Sequence, residues 1–347
     1  MRYESDPETG TRPNSCGRAC FHGETVLCRQ PQGSARQKPK PDPDTNHESR
    51  RLKPIMRALR AVHSVTNGDS VDPEDLERQR KGQELLGHLV APMIGTTWSP
   101  FDLDGMPAAW NAPERGHDHR HAILYCHGGG YTSGNLGYAR ILSAKLAHVT
   151  GYEVLSFEYR LAPEHPYPAA IEDATKAWDY LMHAGYGARD VIIAGDSAGG
   201  NLALCLTQKL KSEDRRPPMA LILMSPWTDM TASGKSYTEN IELDPMITPT
   251  YISAVRHAYA GHIENYENPA LSPLFGSFEG FPPVFIQVGT NEILLSDSVR
   301  LRDRLLKAGI PCRLEVWQNM WHVFQMFPLH QSAEAMESIG RFLLELF

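Results

Sequence analysis

No run of about 18 apolar residues occurs anywhere in the 347-residue sequence, so a transmembrane helix is not expected. A basic excess is missing too: 34 Lys and Arg stand against 41 Asp and Glu, for a net charge of -7. Such a chain has no surplus of cations to neutralise phosphates, and a nucleic-acid partner is not expected. The first residues, MRYESDPETGTRPNSCGR, lack the apolar core of a signal peptide, which makes the cytoplasm the expected location. Cysteine is sparse. Of the 6 present, Cys16, Cys20 and Cys28 lie in a polar stretch with only His22 near. That falls short of four ligands at a recognisable spacing, so no metal site is expected. Cys126 and Cys205 sit in apolar runs and read as small buried hydrophobes. What is there is an ordinary globular composition, 41% hydrophobic and 22% charged, in a chain long enough for a sizeable core.

Residues 1–48 are rich in Pro, Gly, Arg, Asp and Asn, with almost no apolar periodicity. They read as a disordered extension, because they have too little to bury to offset the entropy of ordering. Order is expected to begin near Arg51. In RLKPIMRALRAVHSV, Leu52, Ile55, Met56, Leu59 and Val62 fall at helical spacing, with Arg50, Arg51, Arg57 and Arg60 on other positions. A helix packed on the rest of the protein is the favoured reading, since the run is short; a helix lying on a membrane surface is the alternative. A second helix follows in PEDLERQRKGQELLGHLV, opened by Asp72-Pro73.

From residue 98 the pattern changes. WSPFDLDGMPAAWNAP reads as a hairpin about Asp104-Gly105. Short apolar strands at 122–126, 153–159, 190–195, 220–225, 283–289 and 313–317 then alternate with helical patterns, as in right-handed β-α-β units whose sheet is covered on both faces. Residues 228–275 break the rhythm with an irregular insertion that holds one helix, TPTYISAVRHAYA, and no strand. Residues 49–347 are therefore expected to form one domain, with 51–95 and about 228–275 capping the sheet.

The chemistry centres on Gly195-Asp196-Ser197-Ala198-Gly199-Gly200, between a buried strand and a helix. A serine on so sharp a turn needs small neighbours, and the turn lifts its hydroxyl clear of the sheet at the positive end of a helix. The alternative is a glycine-rich helix start made for packing or phosphate binding. A nucleophilic serine needs a base, and the base an orienting acid, each on a loop beyond the carboxyl end of a strand. His322 fits the base: it follows the strand RLEVW and precedes the last helix. Glu292 fits the acid, just past the strand that ends at Gly289; Asp297, five residues on inside a helical run, is its competitor. His127-Gly128-Gly129-Gly130-Tyr131 follows another strand and reads as an oxyanion loop, with Gly128, Gly129 and Ala198 as the expected N–H donors and His127 as structural. No Gly-Lys-Ser/Thr follows to make it a phosphate cradle. Tyr131 and Trp227 are expected among the pocket walls.

These motifs resemble the hormone-sensitive-lipase family of serine esterases. The likeness is carried by HGGGY (127–131), YRLAPEHPYPAA (159–170), GDSAGG (195–200), SPWTDM (225–230) and DPM (244–246), in order, and runs from about residue 98 to the carboxyl end. It implies an α/β-hydrolase fold with an eight-stranded, mostly parallel sheet, helices on both faces and a helical cap. It also implies hydrolysis of carboxylic esters without a cofactor. Many members carry an aspartate in a D-P-L phrase where this chain has Asn291-Glu292-Ile293-Leu294; aligning Leu294 places Glu292 on that aspartate. Short-chain or small-molecule esters are the expected substrates, with lactones and acetyl esters as alternatives on the same triad. A receptor for a small hormone is the non-catalytic alternative; it is disfavoured because Ser197 and His322 are both present. The oligomeric state is left open, a homodimer included.

Overall fold

The computed structural model describes residues 52–61, 71–89, 95–115 and 118–346. The extension at 1–48 and the Cys16, Cys20, Cys28 cluster lie outside the described residues. The first two helices are α1 (52–61) and α2 (Pro73–Leu89). A hairpin follows: β1 (Thr96–Leu103) pairs antiparallel with β2 (Met106–Pro113), joined by Asp104 at φ 49° and Gly105 at φ 85°. Two positive φ values in a two-residue turn are what Asp-Gly supplies at low cost.

Six more strands follow: β3 (Asp118–Cys126), β4 (Tyr152–Phe157), β5 (Val191–Asp196), β6 (Ala220–Met224), β7 (Val284–Gly289) and β8 (Cys312–Trp317). The sheet has 8 strands in the order β1-β2-β4-β3-β5-β6-β7-β8, parallel from β4 to β8. Between the strands run α3 (Leu136–Thr150), α4 (Ala169–His183), α5 (Ala198–Ser212), α6 (Ser236–Glu239), α7 (Pro249–Ala260), α8 (Leu295–Lys307) and α9 (His330–Leu344). α3 shows why these segments are helical: Asn135 Oδ1 accepts from Tyr138 N at 2.9 Å at its start, and Gly151 ends it at φ 72°.

Every residue of β5, β6 and β7 is buried, which is why these strands are apolar on both alternating faces. One face packs Leu124, Ile193 and Leu223 with Trp178 and Leu202; the other packs Ile123, Tyr125 and Ile192 with Phe285 and Phe342. The last two rings stack at 5.0 Å, and truncating Phe285 to alanine should cost about 3–5 kcal/mol.

The order β4-β3-β5 reverses the direction in which the sheet grows, so the loops after β3 and β5 leave it side by side. Their last paired residues are Cys126 and Gly195, while Gly289 pairs with Trp317 across β7 and β8. All loops of chemical interest therefore emerge at one carboxyl edge. Two strand ends differ from expectation by more than one residue. β4 stops at Phe157, because Tyr159 turns inward and donates to the His127 carbonyl at 2.8 Å. β3 reaches back to Asp118 through the polar His119 and Arg120, where the sheet is no longer covered.

Candidate active site

Ser197 stands between β5 and α5 at φ 53°, ψ -120°, a region that costs a non-glycine residue roughly 1–3 kcal/mol. The surroundings hold it there: Ser197 N donates to Met224 O, and Ser197 O accepts from Trp227 N, both at 3.0 Å. Glycine is required on either side. A Cβ at Gly195 would come within 2.3 Å of Gly199 O, and one at Gly199 within 2.0 Å of Cys126 O.

His322 and Glu292 come together. Nδ1 of His322 lies 3.1 Å from Glu292 Oε2, and both side chains are buried. Glu292 Oε1 accepts from the Gly289 N–H and, at 2.9 Å, from the Ser225 hydroxyl. Burial alone would depress the imidazole. The hydrogen bond and charge of Glu292, with Asp244 and Asp196 behind it, hold His322 above its ordinary value instead.

Asp297 is not at the histidine. Its Oδ2 accepts from Thr228 N at 2.7 Å, Asp229 N at 2.9 Å and the Tyr237 hydroxyl at 3.3 Å, binding the start of α8 to the SPWTDM segment. Burial and the neighbouring Asp229 push its carboxyl up to about 7.

In the glycine loop after β3, one of the expected donors is already engaged. Gly128 N donates to Asp196 Oδ1 at 2.9 Å, so that N–H is already taken. Among the described residues, no acceptor takes the N–H of Gly129, Gly130 or Ala198. Positive φ values of 111° at Gly129 and 62° at Gly130 suit glycine, and a Cβ at Gly130 would meet Tyr251 Oη at 2.7 Å. His127 is structural, as expected: it is fully buried, stacks on Tyr159 at 4.2 Å, and its Nδ1 bonds Gly128 O at 2.8 Å. Burial pushes it down to about 4, which keeps the ring neutral.

Tyr131 and Trp227 are not pocket walls, since they are 0% and 1% exposed. Tyr131 stacks on Tyr259 at 3.6 Å and donates to Asn201 Oδ1, while Asn201 Nδ2 donates to the Trp227 carbonyl. Both belong to the core under the site.

Two supporting residues escaped sequence reasoning. Ser225, at the end of β6, donates to Glu292 and accepts from Val323 N at 3.1 Å, so one hydroxyl joins the acid loop to the histidine loop. Asp244 accepts from Ile293 N at 2.9 Å and from Met246 N and Ile247 N, which pins the residue after Glu292. Burial pushes its carboxyl up to about 6. Their only signal was membership of SPWTDM and DPM.

Helices pack around this edge. Leu52 of α1 clusters with Met320, Trp321 and Phe324 of the histidine loop. Arg80 of α2 donates to Thr132 O at 2.9 Å, Ala162 O at 3.1 Å and the Glu164 carboxylate. No described helix is long and apolar enough to cross a membrane.

A family described as having the α/β hydrolase fold matches residues 123–326. An esterase of Acinetobacter venetianus is 37% identical over 227 residues, covering 65% of this chain and 75% of that protein. An acetyl-hydrolase of Streptomyces hygroscopicus is 34% identical over 294 residues, covering 83% and 95%. The crystal structure of an esterase from the bacterial hormone-sensitive lipase family superposes with a TM-score of 0.79 at 32% identity, covering 85% of this chain and 97% of that one.

Proposed function

This chain belongs to the hormone-sensitive-lipase family of α/β-hydrolases and is a carboxylic ester hydrolase, and from that premise we propose that it cleaves short-chain or small-molecule esters through an acyl-enzyme on Ser197. The observation that carries this reading is the buried Glu292–His322 pair, at the same sheet edge where Ser197 is lifted on its strained turn. Ser197 Oγ attacks the ester carbonyl and His322 takes its proton. Glu292 keeps Nδ1 protonated in the resting ring, so that Nε2 is left to act as the base, and stabilises the imidazolium that forms. The oxyanion is received by the N–H groups of Gly129, Gly130 and Ala198; Gly130 replaces Gly128 because the latter's N–H is held by Asp196. The C–O bond to the alcohol then breaks as His322 returns the proton to it. Water, activated by the same imidazole, releases the acid.

The cap, in this reading, is made of α1, α2 and residues 228–275; the contacts of Leu52, Arg80 and Tyr251 at the sheet edge support it. A second reading, acetyl-ester hydrolysis on the same residues, is favoured by the likeness to the Streptomyces acetyl-hydrolase. The test is substitution: Ser197→Ala and His322→Ala should each lower kcat for p-nitrophenyl acetate by roughly 10⁴ to 10⁶ with folding retained. Either variant within tenfold of the parent would reject the mechanism.

A further inference from the structure

Asp196 occupies the variable position before the nucleophile in G-x-S-x-G, where the triad chemistry requires no carboxylate. It is nonetheless fully buried, and burying an acid is costly unless its oxygens are well bonded. Its partners are specific. Oδ1 accepts from the Tyr125 hydroxyl at 2.5 Å and from Gly128 N at 2.9 Å, and Oδ2 accepts from the Tyr138 hydroxyl at 2.6 Å. Tyr125 lies on β3 and Tyr138 on α3, so the carboxylate is gripped from two elements while it grips a third.

What it grips is the oxyanion loop. The ladder between β3 and β5 ends at the pair Cys126 and Gly195, and beyond it strand hydrogen bonds no longer fix one loop against the other. The Asp196–Gly128 bond takes over there. The fit is close: a Cβ at Gly128 would stand 2.3 Å from Asp196 Oδ2 and 2.9 Å from Asp196 O, so the loop lies directly on residue 196. We propose that Asp196 is a positioning residue, whose carboxylate fastens Gly128 beside the nucleophile turn and so sets where the Gly129 and Gly130 N–H groups stand relative to Ser197. This rests on the reading of Ser197 as nucleophile and deepens it. One side chain, covalently next to the attacking serine, fixes the register between nucleophile and oxyanion donors. A shift of about 1 Å in that register can cost on the order of 100-fold in rate.

The three donors distinguish two substitutions. Asp196→Asn keeps an oxygen for Tyr125 and Gly128, and its amide can donate to the Tyr138 hydroxyl once that group turns to accept. Asp196→Ala releases Gly128 and leaves the hydroxyls of Tyr125 and Tyr138 without this acceptor. With sites counted by a fluorophosphonate and rates taken on the pH plateau, Asp196→Ala should lower kcat per titrated site by about 100- to 1,000-fold, as loss of an oxyanion donor does. KM should stay within about threefold, and Asp196→Asn should keep kcat within about tenfold of the parent. Affinity for a trifluoromethyl ketone, whose adduct places an oxyanion in the hole, should fall in parallel with kcat/KM across the variants. A role in packing alone would lower the melting temperature and the number of titratable sites, and leave kcat per site and ketone affinity unchanged. That result would overturn the proposal while the Ser197 reading stood. If Asp196→Ala does not fold, Asp196→Ser decides: its hydroxyl is too short to take the place of Oδ1 at Gly128 N, and unchanged kcat per site and ketone affinity there would overturn the proposal equally. Fluorophosphonate found on a residue other than Ser197 in the parent would overturn both together.

Discussion

Replacing Glu292 with glutamine tests the acid through its hydrogen bonds. Oε1 accepts from two donors, Ser225 Oγ and Gly289 N, whereas Oε2 faces one, His322 Nδ1. A glutamine can offer its oxygen to only one side. Turning it toward His322 sets its amide against the buried Gly289 N–H, and leaving that donor without an acceptor costs about 1–3 kcal/mol. The oxygen therefore stays with Ser225 and Gly289, and the amide N–H faces Nδ1. The imidazole must then accept at Nδ1 and carry its proton on Nε2, the tautomer that cannot take a proton from Ser197. Forcing the equivalent tautomer in a serine protease triad costs about 10⁴ in kcat, and we expect a loss of roughly 10³ to 10⁴ here. Asp297→Asn is the control, since Asp297 lies against Thr228, Asp229 and Tyr237 and not against His322. It should leave kcat within about threefold of the parent. The assay is p-nitrophenyl acetate hydrolysis at several pH values, with circular dichroism to verify folding. Full activity in Glu292→Gln together with its loss in Asp297→Asn would refute the assignment of the acid.

The acid limb of kcat/KM should have its midpoint above the ordinary imidazole value of about 6.5, because His322 must be neutral to act and its carboxylate neighbours raise it. Asp244→Asn removes one of those charges and should move the limb to lower pH; a limb that stays put would exclude Asp244 from the electrostatics of the base. Asp297, pushed up to about 7 in the folded protein, keeps its proton longer than in the unfolded chain, so its contribution to stability is present below about pH 4 and is lost as pH rises through 7. Asp297→Asn should accordingly gain melting temperature relative to the parent between pH 4.5 and 8, and a constant difference would show that Asp297 ionises normally. Across p-nitrophenyl esters, kcat/KM should peak between acetyl and hexanoyl, because the described exposed side chains of α1 and α2 include Lys53, Arg57, Arg78 and Lys81, charges that interrupt an apolar docking surface. A maximum at twelve carbons or more, or a jump on emulsification, would indicate an interfacial lipase.

The placement of Ser197 and His322 at the carboxyl edge was legible because strand ends are legible: an apolar run followed by glycine or a loop marks that edge, where the loops of an open parallel sheet gather. The hairpin at Asp104-Gly105 was equally plain, since few residue pairs accept two positive φ values. Gly128 was misread for a physical reason. Three consecutive glycines are indistinguishable in sequence, and which N–H is occupied depends on Asp196, 68 positions away. Tyr131 was placed in the pocket wall because its partners, Tyr259 and Asn201, are equally remote. Ser225 and Asp244 act on backbone N–H groups and a carboxylate across loops, contacts that have no periodicity and no spacing to betray them. Strand boundaries failed where burial failed: β3 begins in polar residues because that end of the strand faces water.

The most direct test of the central claim is to trap the acyl-enzyme. Rapid acid quenching during the first turnovers of p-nitrophenyl butyrate, followed by peptide mass spectrometry, should find one butyryl group per active site, on the peptide that spans β5 and α5 and at Ser197. Glu292→Gln should accumulate the same adduct far more slowly, and Ser197→Ala should accumulate none. A butyryl group on another residue, or undiminished turnover in Ser197→Ala, would contradict it.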